Sequence, residues 1–165
     1  MKPRMKPRDA RALVHRIERA TTDALRQLAP PPPQPTKLLV AVSGGADSMA
    51  TLFALAERAA KHGWQIHAAH VDHSIADVEV RASFRAAVQD LTQRLDIPLS
   101  ECDVDVPRVA ASQGLSIETA ARQERYVALA RVATELEAAA IVTGHTADDQ
   151  AESVLLHLLR GSGLD

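Results

Sequence analysis

Three short clusters in this sequence carry residue types that could do chemistry together. They are Ser43-Gly44-Gly45-Ala46-Asp47-Ser48, His70-Val71-Asp72-His73-Ser74 and Gly144-His145-Thr146-Ala147-Asp148-Asp149. The first is suited to receive an anion. Adjacent glycines cost backbone entropy but let a ligand touch the main chain, and Ser43 and Ser48 bring hydroxyls that can donate to its oxygens. If a helix starts here, its unpaired N–H groups and the positive end of its dipole strengthen the attraction. The lysine and spacing of the GxxxxGKS/T phosphate loop are missing, and GxGxxG does not match either. Asp47 stands there instead, and a carboxylate repels a phosphate unless a cation lies between them. Mg²⁺ is the natural candidate, because it prefers carboxylate and phosphate oxygens. The plainer alternative is that Ser43 or Asp47 only caps the helix.

Clusters so far apart in sequence act together only if the fold collects them. Strand-like runs occur at Lys37–Val42, Gln65–Val71, Leu99–Val104 and Ala139–Thr143. Helical spacing predicts helices over roughly 46–62, 77–95, 106–113, 116–137 and 146–160. Strands alternating with helices of this length imply βαβ units, hence an α/β fold with an open parallel sheet and helices on both faces. Ligands of such sheets bind outside the carboxyl ends of the strands. The first and third clusters follow predicted strands at that end and the second ends one, so all three are expected on one edge of the sheet.

Other polar residues have ordinary readings beside the chemical ones. In the last predicted helix, Asp148 and Glu152 share a face, with Asp149, Ser153 and His157 on a neighbouring line. Acids in a first turn are favoured by the dipole, yet two adjacent acids plus His145 exceed what a cap needs. Ser116 fits an N-cap for the helix carrying Arg122 and Arg125, which are three apart and on one side. Arginines so placed can hold phosphate together or pair with nearby glutamates. His67, His70, Asp72 and His73 invite a metal reading, but alternate strand residues point to opposite faces and a site needs convergent ligands. Cys102, the sole cysteine, is expected as a buried thiol on a strand.

The composition fits a globular domain: 46% hydrophobic and 24% charged over 165 residues, with no run long enough to span a membrane. Aromatics are only 2%, so the core must be aliphatic and little material exists for stacking bases. A lone cysteine and the absence of a signal-peptide pattern point to the cytoplasm. Residues 1–19 hold seven Lys/Arg against Asp9 and Glu18, a net +5, whereas the remainder has 12 basic and 19 acidic residues, a net −7. A basic arm on an acidic body fits a polyanion partner, and a solvated terminus fits it equally. Within 9–28, Leu13, Ile17, Ala20, Ala24, Leu25 and Leu28 make an amphipathic helix. The proline run from Pro30 to Pro35 then forms a stiff spacer. The expected organisation is a basic arm, helix and linker over 1–36 and a catalytic domain over 37–165.

SGGADS resembles the signature of the PP-loop ATP pyrophosphatases, which cleave ATP between its α- and β-phosphates. The stretch GHTADDQAESVLLHLLRGSGL is similar to the tRNA(Ile)-lysidine synthetases of that superfamily, as are HVDHS and LSIETAARQERY. The resemblance implies a Rossmann-like sheet of the adenine nucleotide alpha hydrolase-like type. It further implies that Ser43, Gly44, Gly45, Ala46, Asp47 and Ser48 hold ATP and its leaving pyrophosphate, with Asp47 engaging Mg²⁺ through the phosphates. By the same resemblance, His145 and Asp149 are catalytic, one or both of Arg122 and Arg125 contact ATP or tRNA, and His70, Val71 and Asp72 border an adenosine pocket. Asp148 or Glu152 would meet the ammonium of free L-lysine. The implied reaction adenylates the wobble cytidine of tRNA(Ile) with a CAU anticodon and joins lysine to it, releasing AMP and pyrophosphate. Many relatives have Leu-Arg where this chain has Ile75-Ala76, and it supplies a basic residue only at Arg81. Relatives also continue beyond the last residue, so a fragment that binds ATP but forms little lysidine alone is expected. Alternatives are another PP-loop activity, tRNA thiolation or amidation of a small acid, or a non-catalytic nucleotide-binding domain of the same fold. A homo-oligomer is left open.

Overall fold

The computed structural model describes residues 7–28 and 33–144. Helix α1 (Pro7–Arg26) leads into strand β1 (Thr36–Ala41), and strands and helices then alternate. They are α2 (Ala46–His62), β2 (Trp64–Asp72), α3 (Val78–Arg94), β3 (Leu99–Asp103), α4 (Val106–Gln113), α5 (Ile117–Glu135) and β4 (Ala140–Thr143). The strands form one parallel sheet in the order β3-β2-β1-β4. The expected α/β architecture is borne out. The order reverses between β1 and β4, and such a switch point opens a crevice at the strands' carboxyl ends. The segment 146–160, predicted as a helix, lies outside the described residues.

The central strand reads as a continuous apolar run because both its faces are covered. Leu38, Val40 and Val42 pack with Leu52 and Leu55 of α2, Val88 of α3 and Leu25 of α1. Leu39 points the other way, into a cluster with Ala69, Cys102 and Ala128, Leu129 and Val132 of α5. Each fully buried leucine contributes on the order of 1.5–3 kcal/mol, so a mainly aliphatic core suffices, with Trp64 packed into it. Cys102 is buried on β3, as expected, and the Arg131 guanidinium lies 3.7 Å from its sulfur.

Helix α1 ends at Arg26 instead of reaching Leu28, which is left exposed. The prolines that follow disfavour helical backbone in the residues before them. Its apolar stripe lies against α2, but a charged residue sits within the packed face. Glu18 is only 4% exposed, and it meets Lys61, His62 at 2.7 Å, His15 at 3.3 Å and Arg58 at 3.4 Å. Hydrogen bonds from Lys61 and then His62 outweigh desolvation and hold its carboxyl at about 2, against an ordinary 4.5. Among the described residues no helix is long and apolar enough to cross a membrane.

Candidate nucleotide site

The loop after β1 is organised by its own serines. Ser48 Oγ accepts the Ser43 N–H at 3.1 Å and donates to the Gly45 carbonyl at 2.9 Å, while Ser43 Oγ accepts from the Gly45 N–H at 3.3 Å. The residue capping α2 is Gly45, with no side-chain cap bond, so neither Ser43 nor Asp47 serves as the cap. First-turn amides of α2 therefore keep their anion-binding capacity. The Asp47 carboxylate is exposed and has no hydrogen-bond or ion-pair partner among the described residues. An unspent carboxylate beside unspent amides fits a bound cation–anion pair better than either ion alone.

Two close approaches fix the loop. Gly44 has φ +88, and a Cβ there would lie 2.8 Å from Phe84 Cβ, so α3 leans directly on the glycine. A Cβ on Gly144, at the end of β4, would lie 2.7 Å from Ser48 Cα and 2.8 Å from Ser48 N. The loop is thus held between α3 on one side and the end of β4 on the other.

Above these strand ends lies a cavity of about 400 Å³, within the range that takes small ligands. Ser43, Gly45, Ala46, Asp47 and Ser48 line it from the loop, and His70, Val71, Asp72 and His73 from the end of β2. Arg125 enters from α5 and Arg81 from α3, with Leu129 and Phe84 among the apolar walls. Thr143 and Gly144 complete the edge. The clusters at the first two strand ends, together with Gly144 of the third, do converge. His145, Asp148, Asp149 and Glu152 lie outside the described residues. Arg122 is exposed, with its guanidinium 5.8 Å from the Tyr126 ring centroid, and does not line the cavity.

The second cluster divides its work. His70 is buried and donates Nδ1–H to the Val42 carbonyl at 2.8 Å. The Asp72 carboxylate accepts the Ser74 N–H at 2.9 Å and pairs with Arg81 at 3.1 Å and Arg85 at 3.5 Å. Burial pushes the Asp72 carboxyl up, but the Ser74 bond and the two guanidinium groups hold it below the usual range. Its charge is therefore spent on fastening α3 to β2, although the residue still borders the cavity. His73 Nε2 accepts from Arg125 Nε at 3.3 Å. Burial and the adjacent Arg125 lower its pKa. His67 is elsewhere, bonded to Ser100 at 2.9 Å, and among the described residues no three His, Cys, Asp or Glu gather as metal ligands. Arg81 and Phe84 are the residues that pattern reading did not assign, whereas His73 stood in the second polar cluster and in the metal reading without a role toward the nucleotide. Only the missing Leu-Arg pair, which directs attention to Arg81, gave any signal.

A strand–loop–helix turn at a parallel-sheet switch point, with a carboxylate where a phosphate loop has lysine, fits a nucleotide-binding class. The chain belongs to the PP-loop domain family, which it matches over residues 14–165. The membership expected from SGGADS and GHTADDQAE is borne out. The chain is 42% identical over 143 residues to a tRNA(Ile)-lysidine synthase of Thermus thermophilus, a match that covers 87% of this chain and 26% of the relative. A Salinispora tropica relative of the same name is 45% identical over 148 residues, covering 89% and 41%. One from Dehalococcoides mccartyi is 40% identical over 127 residues, covering 77% and 27%. The chain thus spans only part of the length of these relatives. Among solved structures, the U34-tRNA thiolase NcsA of Methanococcus maripaludis superposes with TM-score 0.72 at 18% identity, covering 92% of this chain and 52% of that one. The NH3-dependent NAD synthetase of Campylobacter jejuni gives 0.58 at 16% identity, covering 97% and 62%. These two likenesses concern the fold alone.

Proposed function

We propose that this chain is the ATP-activating part of a tRNA(Ile)-lysidine synthetase. The carbonyl oxygen of the wobble cytidine in a CAU anticodon attacks the α-phosphorus of ATP, and pyrophosphate leaves. The side-chain amine of free lysine then displaces AMP from the activated base. The observation that carries this reading is the unpaired Asp47 beside the open amides of α2, facing a nucleotide-sized cavity. Loop amides and Ser43 hold the leaving pyrophosphate, and Mg²⁺ bound there would offset its growing charge with Asp47 as a ligand. Arg125 steadies the α-phosphoryl oxygens from the opposite wall. His145 and Asp149 orient the base or the attacking amine, Asp148 or Glu152 receives the lysine ammonium, and Arg122 serves ATP or tRNA from outside the cavity. Orienting both reactants supplies much of the acceleration in such a transfer.

The wobble base already lies in a loop, so presenting it costs less than extracting a base from a duplex. Arg11 and Arg16 on the exposed face of α1 have no ion-pair partner among the described residues, which supports the basic segment as a contact for the RNA backbone. The single cysteine, buried on β3, favours lysine transfer over thiolation within this chain. The proposed compartment is the cytoplasm. The proposed organisation is a basic arm, helix and linker over 1–36 before the catalytic domain from 37.

The test uses both this chain and the same chain extended to its relatives' length. Each is incubated with ATP, Mg²⁺, labelled lysine and tRNA(Ile) bearing a CAU anticodon. Lysine-dependent AMP release with label retained in the RNA is expected of the extended form, and ATP binding of the chain alone. Absence of label where a control synthetase works would refute the reading. Asp47→Asn should abolish AMP formation with the melting temperature unchanged, and retained activity removes Asp47 from the mechanism.

A further inference from the structure

His73 has two ring nitrogens in different circumstances. Its Nε2 faces Arg125 Nε at 3.3 Å, and a guanidinium can only donate. Nε2 must therefore be the unprotonated acceptor, and the proton of the neutral ring sits on Nδ1. Burial and the nearby Arg125 favour that neutral form. Nδ1 is itself buried and has no hydrogen-bond partner among the described residues. Buried donors are almost always satisfied, and an orphan at a cavity wall marks a place for an acceptor. His73 lines the same cavity as the Ser43–Ser48 loop and Arg125. The signal is absent from the sequence, because it depends on α5 bringing Arg125 against a residue 52 positions earlier.

We infer that His73, locked by Arg125 as the Nδ1–H tautomer, is a ligand-binding residue that donates from Nδ1 to an acceptor atom of the bound nucleotide. The inference deepens the ATP reading above and rests on it. The acceptor is a ring nitrogen of the base or an oxygen of the phosphates. Arg125 in this arrangement has two tasks, since it sets the tautomer of His73 while presenting its remaining N–H groups to the cavity. The two side chains then respond to ligand as a unit.

Two substitutions separate the ring's edges. Asn at this position places its amide near the Nδ1 location, keeping a donor but losing the brace to Arg125. Gln places its amide near the Nε2 location, keeping an acceptor for Arg125 but losing the donor. With a net hydrogen bond at stake, affinity for a non-hydrolysable ATP analogue should fall about three- to tenfold in His73→Gln, and less in His73→Asn, which keeps the donor but loses the brace to Arg125. In ¹⁵N-histidine-labelled protein, two-bond ¹H–¹⁵N spectra should show the Nδ1–H tautomer, with a ligand-induced shift at Nδ1. Adenosine alone causing the shift places the acceptor on the base or sugar, and pyrophosphate alone causing it places the acceptor on phosphate.

An Nε2–H tautomer overturns the inference, and so does unchanged affinity in His73→Gln. If the Gly44 and Gly45 amides respond to ATP while His73 does not, nucleotide binding stands and the role of His73 falls. If neither responds, the ATP reading falls with it. Should a variant fail to fold, the tautomer and ligand shift of the unaltered chain still decide.

Discussion

Gly144→Ala should disable the site without removing any group proposed to bind ligand. The added Cβ would stand 2.7 Å from Ser48 Cα, 2.8 Å from Ser48 N and 3.1 Å from Asp47 C. All three are backbone atoms, so no side chain can rotate away. Ordinary contact begins near 3.4 Å, so the end of β4 and the start of α2 must separate by about 0.7 Å, the difference between 3.4 and 2.7 Å. Overpacking of this kind costs about 1–3 kcal/mol. At roughly 2–4 °C per kcal/mol in a chain of this size, the melting temperature should fall by about 2–12 °C. A misplacement near 1 Å can cost about 10²-fold in rate, so AMP release by the extended protein should drop about 10- to 100-fold. Gly114→Ala is the control. It has φ +67 with nothing within 4 Å of an added Cβ, so backbone strain of about 1–2 kcal/mol is its only penalty. Calorimetry and AMP release on both variants should show similar destabilisation, with activity lost only in Gly144→Ala. Equal activity in the two variants would refute the close packing of β4 on the loop as the source of its geometry.

The two arginines of α5 should separate in an ATP-affinity titration. Arg125→Ala loses a cavity cation and should weaken binding about 10- to 150-fold, the loss expected for a hydrogen bond to a charged group, whereas Arg122→Ala should change it less than about tenfold. The reverse order would place Arg122 at the phosphate. Glu18 predicts a specific acid sensitivity. Its carboxyl, held at about 2 against an ordinary 4.5, takes up its proton in the unfolded chain first. Its contribution is therefore fully present above pH 4.5 and is lost as pH falls toward 2. The stability difference between the unaltered chain and Glu18→Gln should shrink across that window, and a constant difference would show that the clasp to Lys61 and His62 does not stabilise the fold.

The strands and helices were legible because their periods are clean. A buried parallel strand shows as the run Leu38-Leu39-Val40, and α2 shows as helical spacing directly after two glycines. The location of the candidate site was legible for a topological reason, since every polar cluster ended or followed a strand. What spacing could not supply was any contact made across the sheet. Arg122 and Arg125 share a helical stripe, and only the docking of α5 through Leu129 and Val132 decides that Arg125 reaches the cavity. Asp72 offers the same lesson in reverse. Its position at a strand end suits ligand binding, yet Arg81 and Arg85 of α3 already occupy its carboxylate. Their pairing depends on how α3 returns over β2, which local sequence does not encode.

That pairing bears on the loop itself. Asp72, by holding Arg81 and Arg85, fixes α3 over the sheet, and α3 carries the Phe84 that rests on Gly44. On the other side, Gly144 abuts Ser48 and is followed directly by His145 in the chain. The Ser43–Ser48 loop is therefore clamped by one element fastened through the end of β2 and by another leading into the segment proposed for catalysis. One contact reaches the backbone of the first turn of α2 and the other reaches Gly44, two residues before it. Small residues at 44 and 144 thus do two things at once. They admit the close approach that an anion site needs, and they join the loop proposed for pyrophosphate mechanically to the elements on either side of it.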